Sequence, residues 1–154
     1  MPITDENEFH ILVGEIMVWS ARLESRLEAC IAACLPGGTA EFSQPVLRRL
    51  NFINQLATLR EVSLLLYKPR DPTLVEFHRW LRRLGRIRLR RNDLVHHVLR
   101  VERSPEELGR WKSEVGRMRE ACVEVPAWVD VFEARMATTR ESELPLERDS
   151  HGVF

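Results

Sequence analysis

Apolar residues in the first part of the chain recur at steps of three and four, which is the spacing of one buried helical stripe. The pattern predicts a first helix that is capped by Thr4 and runs to about Leu35, where Pro36-Gly37-Gly38 stops it. The predicted stripe consists of Phe9, Leu12, Ile16, Trp19, Leu23, Leu27, Cys30 and Cys34. This first helix is therefore expected to bury one face against the rest of the domain.

Helix start and stop signals divide the remainder of the chain. Ser43, with Pro45 just inside the first turn, predicts a second helix to about Tyr67, whose apolar residues spread around more than one face. Asp71 as cap and Pro72 at the first helical position predict a third helix, from about Thr73 to Val101.

Two further helices are predicted after that. Ser104 and Glu107 have the spacing of a capping box and open a fourth helix with a narrow apolar stripe to Val125. Pro126 then predicts the start of a shorter fifth helix. From Glu141 the chain is charged and contains a proline, so we expect residues 141–154 to form a mobile tail.

No segment alternates apolar and polar residues for long enough to predict a strand, so the fold class is all-α. Long helices joined by short loops predict an up-and-down bundle of four long helices plus a short C-terminal helix. The length of 154 residues fits a single domain, which we place at residues 1–140.

The charges cancel over the whole chain but are unevenly distributed. The net charge is zero, yet residues 79–103 contain nine arginines and only two acidic residues. This local excess of arginine mildly favours an anionic partner, but taken alone it is better explained by an arginine-rich solvated face. The three cysteines form no Cys-x-x-Cys motif, the N-terminus is acidic, and no apolar run is long enough to span a membrane. These features predict a cytoplasmic protein without a membrane anchor.

The third predicted helix carries basic residues on its apolar side. On a helical projection Arg91 lies at the centre of the most apolar sector, and Arg88 lies about 60° away. A buried guanidinium is costly unless it is paired, so these charges need partners. Glu24, at the edge of the first helix's stripe, is the candidate partner inside the bundle. Asn92 flanks the sector, and His96 follows it one turn later on the same edge.

The segment Arg91-Asn92-Asp93-Leu94-Val95-His96 resembles the motif of the HEPN superfamily, an arginine followed after four to six residues by a histidine. The third long helix of a compact bundle is also the motif's place in that family, and the stretch VWSARLESRLEACI is similar to small bacterial members. The residue after His96 departs from the pattern, because many small relatives have glycine or another small residue where this chain has His97.

The resemblance implies a metal-independent endoribonuclease of the toxin or phage-defence type. In that chemistry the ribose 2′-hydroxyl attacks the adjacent phosphorus and leaves a 2′,3′-cyclic phosphate. The implied catalytic residues are Arg91, His96 and Asn92. The supporting residues are Arg88, Asp93, His97 and Glu24. Arg86, Arg90 and Arg100, on the basic face of the third helix, are the candidates for binding the RNA backbone, although that face can as easily be solvated surface. His97 stays an alternative to His96 as the motif histidine.

The resemblance also implies partners. Family members usually form homodimers in which two motifs line one cleft, so we expect a homodimer, RNA as substrate and a separate antitoxin protein. No cofactor is expected, and the scattered histidines argue against a metal site. A catalytically inert HEPN-like module for dimerisation or for binding a nucleotide or protein is the alternative. In that case Arg91 has only a structural partner.

Overall fold

The computed structural model describes residues 5–35, 40–97 and 104–143 of the chain. They form α1 (Asp5–Ala33), α2 (Ala40–Leu47), α3 (Phe52–Leu66), α4 (Pro72–His97) and α5 (Pro105–Glu143). The described residues contain no strand, which confirms the all-α helical bundle. The division of the chain into helices differs from the sequence prediction most between α2 and α3 and at Pro126.

The first difference is a break between α2 and α3, where one helix from Ser43 to Tyr67 was predicted. That prediction is wrong, because the chain leaves the helix after Leu47 and re-enters it at Phe52. Asn51 between them has an extended backbone, and its side-chain oxygen accepts a hydrogen bond of 3.0 Å from the Asn54 backbone N–H. A short amide side chain competes with the helical backbone for such donors, so it starts a new helix here.

The second difference is at Pro126, where a separate fifth helix was predicted. That prediction is also wrong, because α5 runs through Pro126 as one helix of 39 residues. Proline lacks the N–H that would bond to the carbonyl four residues earlier, which is that of Cys122. Nη1 of Arg26, on α1, donates a hydrogen bond to this carbonyl instead. A side chain from the neighbouring helix thus satisfies the acceptor that proline leaves open.

The predicted starts of α4 and α5 are confirmed. The Asp71 carboxylate accepts a bond of 2.8 Å from the Thr73 backbone N–H, and α4 begins at Pro72. The Ser104 hydroxyl oxygen accepts a bond of 3.2 Å from the Glu107 backbone N–H.

Several predictions lie outside the described residues: the cap Thr4, the stop at 36–38 and the last predicted residues of the third helix, 98–101. Helix α5 continues through Glu141 to Glu143, and residues 144–154 also lie outside them.

Helix directions follow from paired side chains. Glu8 pairs with Lys112 and Glu15 with Arg119, so α1 and α5 run in the same direction. Helix α4 runs antiparallel to both α3 and α5, as predicted for helices joined by short loops.

The buried core joins α1, α4 and α5, and at one end it contains a cluster of aromatic rings. Those rings belong to Phe77, Trp80, Trp128 and Phe132.

Candidate functional site

Arg91 lies on α4 where it faces α1, and its side chain is 23% exposed. Its Nη1 donates to the hydroxyl oxygen of Ser20 at 2.7 Å and to Oε1 of Glu24 at 3.2 Å. Ser20 and Glu24 are four residues apart on α1, so their side chains lie one above the other on the same face. The predicted pairing of Arg91 with Glu24 is confirmed by this contact, and the apolar sector indeed receives a partly buried guanidinium.

Asn92 completes the surroundings of that guanidinium. Its side-chain oxygen accepts from Nε of Arg91 at 3.2 Å and from Nη2 at 2.9 Å. Every nitrogen of the guanidinium therefore has an acceptor within the same chain. The charge is neutralised by Glu24 and the plane of the group is fixed from two helices.

His96 is exposed and lies four residues after Asn92, one turn further along the same edge of α4. Its neighbour Val95 is 43% exposed, and Leu94 is only half-buried. The apolar sector of α4 is therefore incompletely covered at this end. His97 is the last residue of α4.

The other predicted residues are spread over two sides of α4. Arg88 is half-buried, and no carboxylate within the described stretches forms an ion pair with it. Arg86 and Arg90 line a groove between α4 and α5, away from Arg91, and Asp93 lines its continuation. Arg100 lies outside the described residues. The structure thus brings together Arg91, Asn92 and Glu24, but the predicted RNA-binding arginines that it describes lie elsewhere.

The groove contains a buried carboxylate that sequence reasoning missed. Glu114 is 2% exposed, and its Oε2 lies 2.8 Å from Nη1 of Arg117 and 3.8 Å from Nη1 of Arg90. Its Oε1 is buried and has no hydrogen-bond partner within the described part of the chain. The signal was present, because Glu114 falls three residues after Trp111 and four before Met118, on the apolar stripe of α5.

Together with its continuation, the groove is lined by five basic and five acidic side chains, so their summed charge does not single out an anion. Arg83 pairs with Glu124, and Arg110 pairs with Glu107. The sequence prediction of RNA binding by Arg86 and Arg90 therefore gains no support from a net positive potential at this place.

Among the residues that the structure describes, no side chains are arranged to bind a metal ion, and Cys30 and Cys34 are not arranged as reactive thiols. The described residues include no cluster of three or more His, Cys, Asp or Glu that could hold a metal ion. Burial raises the pKa of the Cys34 thiol to about 12, and burial followed by the proximity of Cys34 raises the pKa of Cys30. Both side chains are therefore protonated thiols at neutral pH, and not nucleophiles. No helix in the described stretches combines the length and apolar character needed to cross a bilayer.

No protein-family model, curated protein or solved structure matches this chain. A nuclease function is therefore supported only by the residues around Arg91 and by their likeness to the HEPN motif.

Proposed function

We propose that this chain is a metal-independent endoribonuclease of the HEPN type, with its reaction centre at Arg91, Asn92 and His96. The observation that carries the proposal is a partly exposed, well-oriented guanidinium with Asn92 beside it and the exposed His96 one turn after Asn92, near the C-terminal end of α4. Arg91 is oriented by Ser20, Glu24 and Asn92 while part of it reaches the surface, and His96 is exposed one turn away.

Each side chain suits one part of the proposed reaction. The 2′-hydroxyl of RNA attacks the adjacent phosphorus, the P–O5′ bond breaks, and a 2′,3′-cyclic phosphate and a 5′-hydroxyl result. The imidazole of His96 can accept the proton of the attacking hydroxyl or give one to the departing O5′. A guanidinium is always charged and can stabilise the negative charge on the phosphoryl oxygens.

The proposal includes a homodimer. Within one chain the charge of Arg91 is already balanced by Glu24. A second copy placed across the incompletely covered end of α4 would bring its own His96 to the Arg91 of the first copy, so that the two motifs line one cleft. RNA as substrate, a separate antitoxin protein and a cytoplasmic location belong to the same proposal.

The test is RNA cleavage by purified protein in the presence of a metal chelator. His96→Ala and Arg91→Ala are expected to abolish cleavage, whereas His10→Ala is the control, since His10 is an exposed histidine of α1. RNA with 2′-O-methyl groups must resist cleavage, and the products must carry a cyclic phosphate. Cleavage that survives both site substitutions would contradict the proposal.

A second candidate function is a non-enzymatic HEPN-like dimerisation or binding module. The observation that favours it is that all three guanidinium nitrogens of Arg91 already bond to Ser20, Glu24 and Asn92. In that case Arg91 only ties α4 to α1. The two functions separate cleanly, because this module shows no cleavage at any protein concentration and Arg91→Ala lowers only its stability.

A further inference from the structure

A separate groove lies between α3 and α4, on a different part of α4 from Arg91. It encloses about 460 Å³. Ile53 and Leu56 of α3 and Leu81 of α4 form its apolar part, and Ile53 is 49% exposed. The polar side chains that line it are Arg60, His78 and Arg82. The groove therefore joins an apolar surface to a cluster made entirely of basic groups.

The two arginines of this groove lack the counter-charges that their neighbours have. None of the residues that line the groove is acidic, and no carboxylate in the described stretches forms an ion pair with Arg60 or Arg82. Arg79 and Arg83, which flank Arg82 on α4, pair instead with Glu76 and Glu124. Two like charges on facing helices repel each other, and an anion between them would remove that repulsion.

His78 is fixed in the wall of the groove. Its Nε2 lies 2.9 Å from the hydroxyl oxygen of Ser63, which is fully buried. The same hydroxyl donates to the backbone carbonyl of Arg60 at 2.8 Å, so its oxygen accepts from the N–H at Nε2 of His78. Burial lowers the pKa of His78, and the charges of Arg60 and Arg82 lower it further. Burial and the two neighbouring arginines therefore both favour the neutral form of the ring.

We propose that this groove binds a small anionic amphiphile, whose carboxylate or phosphate group sits between Arg60 and Arg82 and whose apolar body lies on Ile53, Leu56 and Leu81. The volume of the groove falls within the range of small-molecule sites, which are mostly apolar with a few convergent polar groups. A nucleic-acid backbone would instead need cations repeated along its path. The proposal does not depend on RNA cleavage.

The test measures binding of octanoate and octyl phosphate by calorimetry, with inorganic phosphate, octanol and octylammonium as comparison ligands. We expect saturable binding of the two anionic amphiphiles and weaker or no binding of the other three. Arg60→Gln and Arg82→Gln should each weaken binding about tenfold, the loss of one charge-assisted contact. Arg79→Gln is the matched control, since Arg79 is an exposed arginine of the same helix that has its own partner.

The NMR signals of the His78 ring provide a second measurement, which a general effect on folding would not change. A bound anion favours the charged imidazole, so the ligand should raise the pKa of His78 in the full-length protein. Equal affinity for octanol and octanoate, unchanged affinity in both groove variants, or absence of saturable binding would each overturn the proposal. So would an RNA oligonucleotide that binds through Arg60 and Arg82 while the amphiphiles do not.

Discussion

Arg26 of α1 donates a hydrogen bond to the backbone carbonyl of Cys122, the acceptor that Pro126 leaves open in α5. The interaction therefore joins two helices and stabilises the passage of α5 through a proline. We expect Arg26→Ala to lower the free energy of unfolding by about 1 kcal/mol, because one partly buried carbonyl loses its donor. Urea denaturation measures the change.

A double-mutant cycle tests the cause. Pro126→Ala restores a backbone N–H that can bond to the Cys122 carbonyl, so Arg26→Ala should cost less in that background than in the wild type. Equal costs in both backgrounds would show that Arg26 stabilises the protein by a different interaction.

The Arg91 cluster should matter for stability whether or not the chain cleaves RNA. Arg91→Ala removes the donor from Ser20, Glu24 and Asn92 at once, and we expect a loss of about 2 kcal/mol. Ser20→Ala should cost less, since the guanidinium keeps its other two partners. Arg79→Ala is the control, because its pair with Glu76 is exposed and such pairs contribute little. An Arg91 variant as stable as the control would mean that the cluster does not tie α1 to α4.

The shared cleft of the proposed nuclease predicts complementation between inactive chains. If the arginine of one chain acts with the histidine of the other, a mixture of Arg91→Ala and His96→Ala protein contains dimers with one intact site. After exchange of subunits the mixture should recover roughly a quarter of the wild-type cleavage rate, since half of the dimers are mixed. Each variant incubated alone is the control. No recovery, with exchange demonstrated by a labelled chain, would place both residues of a site in the same chain.

The lowered pKa of His78 predicts an acid-sensitive contribution to stability. Burial and the nearby charges of Arg60 and Arg82 favour the neutral ring in the folded state, so the unfolded chain binds more protons below its own pKa near 6.5. This contribution is fully present above that pKa and is lost as the pH falls towards the folded-state pKa. Urea midpoints across pH 8 to 5 should show it, and Arg82→Gln should reduce the slope by raising the pKa of His78. An unchanged slope would contradict the electrostatic cause.

Local sequence signals were sufficient for much of the fold. The spacing of apolar residues determined that the chain is all-α and which faces of α1 and α5 are buried, because burial of one stripe needs only the helical period. Asp71 and Ser104 determined where α4 and α5 begin, since a cap bonds to backbone groups two or three residues away. It was also predictable that Arg91 needs a partner, because a charge on an apolar sector must find an opposite charge nearby, and Glu24 was the candidate.

Interactions between distant residues decided the rest. Pro126 locally predicts a helix start, but in the structure α5 continues through it, and Arg26, about a hundred residues earlier in the chain, bonds to the carbonyl that the proline leaves open. The basic groove likewise exists only because α3 and α4 pack antiparallel and place Arg60 beside Arg82 and His78. A sequence pattern describes which face of a helix is apolar, but it does not contain the identity of the neighbouring helix. That identity comes from packing of the whole chain, and it determines which charges and carbonyl groups meet.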